Sequence, residues 1–247
     1  MFRKAFRSAL GNALMPAWVY GAKALGKLGI NFHVPDMIAD GATPYMLVKS
    51  VSSTMRAPIF ASAIPDLKIV HIVRHPAGVL ASIIRGREAG KMQGEVHLDE
   101  LFQVPEAGDY GFSYEDIANA SYAEQQAFRW MVRNDFVRRH LWDSPNYLFV
   151  SYEKLCGELE AETERLCHFL NLPMEAQMRE QIRQMTTGPA DDASYFSVVR
   201  NSISALARWE KQLSAQEAAA IVGVVERSEL GRQTIAEYNT QRARLDQ

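Results

Sequence analysis

Apolar and polar positions along the chain change period several times, and the changes mark out alternating helices and strands. Residues 2 to 29 read as helical, with Phe2, Phe6, Leu10 and Leu14 at helical spacing opposite Arg3 and Arg7 and breaks at Pro16, Gly21, Gly26 and Gly29. Tyr45 to Lys49 is a short apolar run opening into the polar Ser50-Val-Ser-Ser-Thr54, the pattern of a strand and its loop. A helix from about Ala57 leads to a turn at Pro65-Asp66. Val70, Ile72 and Val73 then form a near-continuous apolar run, which predicts a parallel strand covered on both faces. Pro76 suits the first turn of the helix that follows, where a missing N–H costs nothing. Between Gly86 and Phe112 the glycines, Pro105 and mixed charge predict a long irregular insertion. Ile117 to Trp142 predicts the clearest helix, with Ala127, Trp130, Met131, Asn134, Val137 and Leu141 on one stripe. A strand at 147 to 151, a helix at 157 to 170 and shorter helices complete the chain.

Strands alternating with helices predict an α/β fold, a parallel sheet flanked by helices. At 247 residues, nearly half of them apolar, the chain can bury one core, so a single domain over 1–247 is expected, with 1–44 as a helical N-terminal region. A net charge of −2 argues against a basic nucleic-acid-binding surface. Cys156 and Cys167 share or flank one predicted helix, roughly 16 Å apart by helix rise, too far for a disulfide. Two reduced cysteines fit a cytoplasmic compartment. No apolar run reaches the length of a membrane span. Arg3, Lys4, Arg7, Lys23 and Lys27 all precede the first acidic residue, Asp36, so the N-terminal helix is either a peripheral membrane contact or an amphipathic helix with a solvated basic face.

The chemistry concentrates at Arg74. A strand that ends in arginine and turns directly into a helix is suited to an anion, which would meet the guanidinium, the free N–H groups at the helix start and the Ser82 hydroxyl. The plainer reading is a surface salt bridge and an ordinary helical serine. In open α/β sheets ligands bind beyond the carboxyl ends of the strands. Lys49, Arg74 and Tyr152 are all predicted there, along one crevice.

Arg74-His-Pro-Ala-Gly-Val-Leu-Ala-Ser82 resembles the loop by which sulfotransferases hold the 3'-phosphate of 3'-phosphoadenosine 5'-phosphosulfate (PAPS). Tyr147-Leu-Phe-Val-Ser-Tyr152-Glu-Lys-Leu155 with Phe169-Leu-Asn-Leu-Pro173 is similar to two further family segments, and Val199-Arg200-Asn-Ser202 followed by Arg208-Trp209 to the segment that closes over the nucleotide. The resemblance runs from about Tyr45 to Tyr238. It implies a P-loop-NTPase-like sulfotransferase architecture, PAPS as co-substrate, no metal, and an acceptor hydroxyl or amine of unknown class. It assigns Arg74 and Ser82 to the 3'-phosphate, Tyr152 to the adenine, Arg200 and Ser202 to phosphate contact, and Lys49 to the transferring sulfuryl group. Trp209 is expected in the core. No acceptor base stands beside Lys49; His97, in the insertion, is the best remaining candidate, although a lone loop histidine is usually just solvated, and residues 86–116 are expected to form a lid or acceptor-binding insertion.

The family's loop for the 5'-phosphosulfate is not visible ahead of Tyr45, so the chain is expected to be N-terminally shortened or divergent. A shortened sheet would leave an unpaired edge and favour a homo-oligomer. Gly21-Ala-Lys-Ala-Leu-Gly26-Lys27-Leu28 has the spacing of a Walker A loop without its final hydroxyl residue. It leaves a P-loop kinase or NTPase as an alternative, beside a non-catalytic nucleotide-binding relative.

Overall fold

The computed structural model describes residues 47–51, 53–92, 94–187 and 206–245. Residues 1–52 form one unit and residues 53–247 another. Of the first unit, the described Leu47 to Val51 make no strand and are exposed, contrary to the strand expected over Tyr45 to Lys49. Apolar alternation alone does not make a strand; a ladder partner must satisfy its backbone.

In the second unit, a 3-10 turn at Thr54–Arg56 runs into α1 (Ala57–Ala63), and Asp66, with φ of 58°, turns the chain into β1 (Ile69–Val73). Helix α2 (Pro76–Glu88) follows at once. Next come α3 (Leu98–Phe102), a 3-10 turn (Pro105–Tyr110), α4 (Tyr114–Ala118) and the long α5 (Tyr122–Leu141). Strand β2 (Tyr147–Ser151) pairs with β1 in parallel, with Ile69 opposite Tyr147 and Val73 opposite Ser151. Helices α6 (Tyr152–Gly157), α7 (Leu159–Leu170), α8 (Ala176–Thr187), α9 (Ala215–Val225) and α10 (Glu229–Leu245) complete the described chain. Cys156 lies on α6 and Cys167 on α7, both buried and unpaired.

Among the described residues the sheet has only these two parallel strands. Its coverage is less complete than the apolar run of β1 suggested. His71 and Val73 are buried on one face, while Ile72 on the other is 51% exposed. The covered face rests on α5, as the stripe predicted. Asn134 Oδ1 accepts from His71 Nε2 at 3.0 Å, His71 Nδ1 accepts from the Tyr147 hydroxyl at 2.9 Å, and Asn134 Nδ2 donates to the Trp130 carbonyl at 2.7 Å. Both ring nitrogens are used, and burial, which lowers the His71 pKa to about 4, keeps the imidazole neutral between strand and helix.

The predicted helix from Ile117 to Trp142 is two helices. Ser113 with Asp116 and Ser121 with Glu124 each form a capping box, so the chain stops at Asn119 and restarts at Tyr122. The segment expected to be an irregular insertion is instead built into the core. Leu101, Ala107, Tyr110 and Ile117 are buried, Phe102 stacks on Phe128 at 5.0 Å, and the Tyr110 hydroxyl donates to Asp135 at 2.6 Å. Helical elements of five or six residues carry these anchors, too short for a helical period to repeat in the sequence. Around α5 the core closes with α2, α9 and α10.

Candidate functional site

The register of the sheet decides which side chains meet. Because Val73 lies opposite Ser151, the residues that leave the two strands, Arg74 and Tyr152, emerge side by side. The Arg74 guanidinium carbon sits 4.6 Å from the centre of the Tyr152 ring, a cation-π contact. Its other surface lies on Gly78 in the first turn of α2. A Cβ placed on that glycine would fall 2.7 Å from Arg74 Nε and 3.1 Å from Cζ. The absent side chain of Gly78 is therefore what lets the guanidinium lie across the helix. Ser82 is four residues further on, on the same face of α2 and one turn up, and is partly exposed. Arg74 and Ser82 thus share one face.

The start of α2 is not the open anion cradle the sequence suggested. Pro76 has no N–H, and the Ala77 N–H is taken by His75 Nδ1 at 3.2 Å. Pro76, Ala77 and Gly78 are buried. Histidine at the cap satisfies a donor that a ligand would otherwise use, so the anion-binding capacity rests on side chains.

His75 and Glu153 were not marked by the sequence reading, yet they hold the junction. The His75 N–H donates to Glu153 Oε1 at 2.8 Å, and the His75 ring stacks on Trp209 at 4.7 Å and meets Tyr238 at 4.6 Å. Trp209 is buried, as expected, and the Trp130 indole donates to the Arg74 carbonyl at 2.9 Å. A histidine placed just before a helix-starting proline was the available signal for the cap. Nothing local marked Glu153, which works through a strand pairing.

Burial sets the electrostatics. It pushes His71 down to about 4 and His75, with help from Arg74, down to about 3; it pushes Glu153 up to about 7. Burial also raises Tyr152 to about 12 and Cys156 to about 11. The unfolded histidines gain protons as pH falls through 6.5, whereas the folded ones do not, so their contribution to stability is lost on acidification. Glu153 has the opposite sign, since its folded carboxyl holds a proton that the unfolded one has released above 4.5. Two histidines against one glutamate leave a net destabilisation between pH 6.5 and 4.5. We expect the urea midpoint to fall over that range and His71→Gln to flatten the fall; an unchanged slope would show that His71 is not a source of it.

The Arg74 guanidinium lies on the Tyr152 ring, which thereby orders it, and Tyr152 is itself partly buried. Lys49 belongs to the other unit and is exposed. His97 is exposed at the start of α3, 3.9 Å from Glu95. Arg200 and Ser202 lie outside the described residues, as do Gly21 to Leu28 and the basic N-terminal helix. A cleft of about 210 Å³ beyond β2 is lined by Phe149, Ser151, Lys154, Arg165, Gln233, Thr234 and Glu237. Its cations are already committed: buried Glu162 takes Lys154 at 3.4 Å and Arg165 at 2.6 Å. Among the described residues no group of histidine, cysteine and carboxylate side chains is arranged to hold a metal ion.

The model of the sulfotransferase family matches residues 1–176. Carbohydrate sulfotransferase 1 of Mus musculus is 25% identical over 150 residues, covering 60% of this chain and 34% of that protein. Carbohydrate sulfotransferase 2 of Mus musculus and of Homo sapiens are each 25% identical over 178 residues, covering 65% of this chain and 33% of theirs. The chain spans about a third of the length of the curated relatives it matches. No solved structure matches it significantly. These relatives overturn the cytoplasmic location expected from the cysteines. Cys156 and Cys167 are both buried and form no disulfide, and two free cysteines do not identify a compartment. No described helix is long and apolar enough to cross a membrane. With a strand-end arginine, its helix and the second strand all inside the matched region, the chain belongs to the sulfotransferase family.

Proposed function

We propose that this chain is a PAPS-dependent sulfotransferase whose acceptor is a carbohydrate hydroxyl. The observation that carries the reading is the Arg74 guanidinium, pressed between Gly78 and Tyr152 on the face of α2 that Ser82 continues. A phosphate monoester fits this pairing, because a planar guanidinium can donate two parallel hydrogen bonds to it and the serine hydroxyl a third. In this reading Arg74 and Ser82 take the ribose 3'-phosphate, which anchors the donor remote from the reacting sulfur. Arg200 and Ser202 add phosphate contacts, and Lys49 serves the sulfuryl group. Sulfuryl transfer is in-line displacement between oxygens, so fixing the donor at a distant phosphate supplies positioning rather than covalent chemistry. What supports a carbohydrate acceptor is that the relatives are named carbohydrate sulfotransferases.

Calorimetric titration with adenosine 3',5'-bisphosphate in the absence of magnesium is expected to show binding. Arg74→Ala should weaken it by about 1.5 to 3 kcal/mol, the worth of a charged hydrogen bond. Equal affinity in the two proteins would remove Arg74 from the site. Transfer of labelled sulfate from PAPS to a panel of carbohydrates tests the acceptor, and transfer only to phenols would overturn that part.

A further inference from the structure

We propose that Glu153 is the positioning residue of the Arg74 clamp and that it takes up a proton from solvent when a phosphate binds there, an inference that rests on the nucleotide reading above. Glu153 is 1% exposed, in the first turn of α6 directly after Tyr152. Oε1 accepts the His75 N–H and so ties the residue next to Arg74 to the second strand. Oε2 is buried without a hydrogen-bond partner. A carboxylate with an unsatisfied buried oxygen is costly, and a protonated carboxyl less so.

The groups around it explain why a ligand would move the proton. Arg74 and His75 face it from the β1–α2 junction, Tyr152 and Cys156 share α6 with it, and Glu237 and Tyr238 approach from α10. His75 stays neutral, and the tyrosines and the thiol are uncharged near neutrality. Burial, and to a lesser degree Glu237, oppose an ionised Glu153, while the backbone N–H groups of His75 and Glu153 and the Arg74 cation favour it; the carboxyl is poised at about 7. A phosphate on Arg74 cancels that cation's field at Glu153. The carboxylate then loses the part of its support that is cationic, and protonation becomes easier. The tether to His75 survives, since either form of the carboxyl keeps an acceptor oxygen for that N–H.

Glu153→Gln separates the two roles, because a glutamine can accept the same N–H and cannot titrate. The probe is adenosine 3',5'-bisphosphate, titrated into the full chain at pH 7.5 in two buffers of different ionisation enthalpy. Wild type should take up a fraction of a proton and bind more weakly as pH rises to 8.5, by at most about tenfold per pH unit for a one-proton linkage. Glu153→Gln should show no uptake, bind more tightly than wild type at pH 8.5, and keep a flat profile where the phosphate is fully ionised. A residue that only supports the fold would lower the melting temperature without changing proton uptake. Wild-type binding without uptake, or uptake that persists in the variant, overturns this inference and leaves the nucleotide reading standing; absence of wild-type binding overturns both. Should the variant not fold, the Glu153 carboxyl carbon of wild type, followed by NMR with and without the bisphosphate, must shift towards the protonated form on binding or the inference fails.

Discussion

Gly78→Ala is expected to reduce affinity for adenosine 3',5'-bisphosphate about tenfold or more while leaving the melting temperature unchanged or slightly raised. The new methyl would stand 2.7 Å from Arg74 Nε, inside any tolerable contact, and the neighbour that must yield is the far end of a flexible side chain. The guanidinium would swing off α2 and away from the face of Ser82. The fold has little reason to suffer. Alanine is a better helix former than glycine by up to about 1 kcal/mol, although the gain is smaller in a first turn. Stability and binding should therefore move in opposite or independent directions, a pattern that general misfolding does not produce. Parallel calorimetry and thermal melts on wild type, Gly78→Ala and Arg74→Ala check it. If Gly78→Ala binds as wild type does, the position of the guanidinium over the helix is irrelevant to the ligand.

The largest loss of stability is expected from Gly231→Ala, at about 3 kcal/mol. Gly231 lies in the first turn of α10, where its Cβ would fall 1.8 Å from the carbonyl oxygen of Val225, the last residue of α9, and 2.5 Å from that carbonyl carbon. The obstacle is backbone, so no rotamer change relieves it. The turn is also tightly bonded: the Gly231 N–H donates to Ser228 Oγ at 2.9 Å, and that hydroxyl donates to the Val225 carbonyl at 3.1 Å. Both helices would have to separate, and α9 carries Ile221, Val224 and Val225 into the core against α5. For a unit of this size the corresponding fall in melting temperature is roughly 6 to 12 °C. Because α10 also supplies Tyr238 to the packing around His75, weaker nucleotide binding should accompany the loss. A melting temperature within a degree or two of wild type would show that the α9–α10 corner opens without cost.

The elements that proved legible from the chain were those whose signal is local. Three residues of apolar run followed by Arg-His-Pro defined the β1–α2 junction, and the α5 stripe from Ala127 to Leu141 marked the face that became the core. The helix expected to end at 170 does so, with Asn171 closing it in the left-handed region at φ of 56°. The errors have a common cause. Strand formation at Tyr45 to Lys49 and coverage of Ile72 were inferred from hydrophobicity, which states that burial is favourable but not that a partner is present. The segment from Gly86 to Phe112 looked irregular because its helical elements are too short for the 3.6-residue period to repeat, although they deliver Leu101, Ala107 and Tyr110 to the core.

By itself the sequence determined an alternating α/β chain, an anion-seeking arginine at a strand end, and a serine placed two turns along the next helix. Tertiary structure decided what those residues can do. Parallel pairing with Val73 opposite Ser151 is a long-range event, and only it brings Tyr152 under the guanidinium and Glu153 to the His75 N–H. Whether Arg74 turns toward Ser82 depends on an absent side chain at Gly78, and whether Glu153 is charged depends on how far the closing helices exclude water. Spacing along a chain fixes which face of one helix a residue occupies; solvent exclusion and contact between strands belong to the assembled fold.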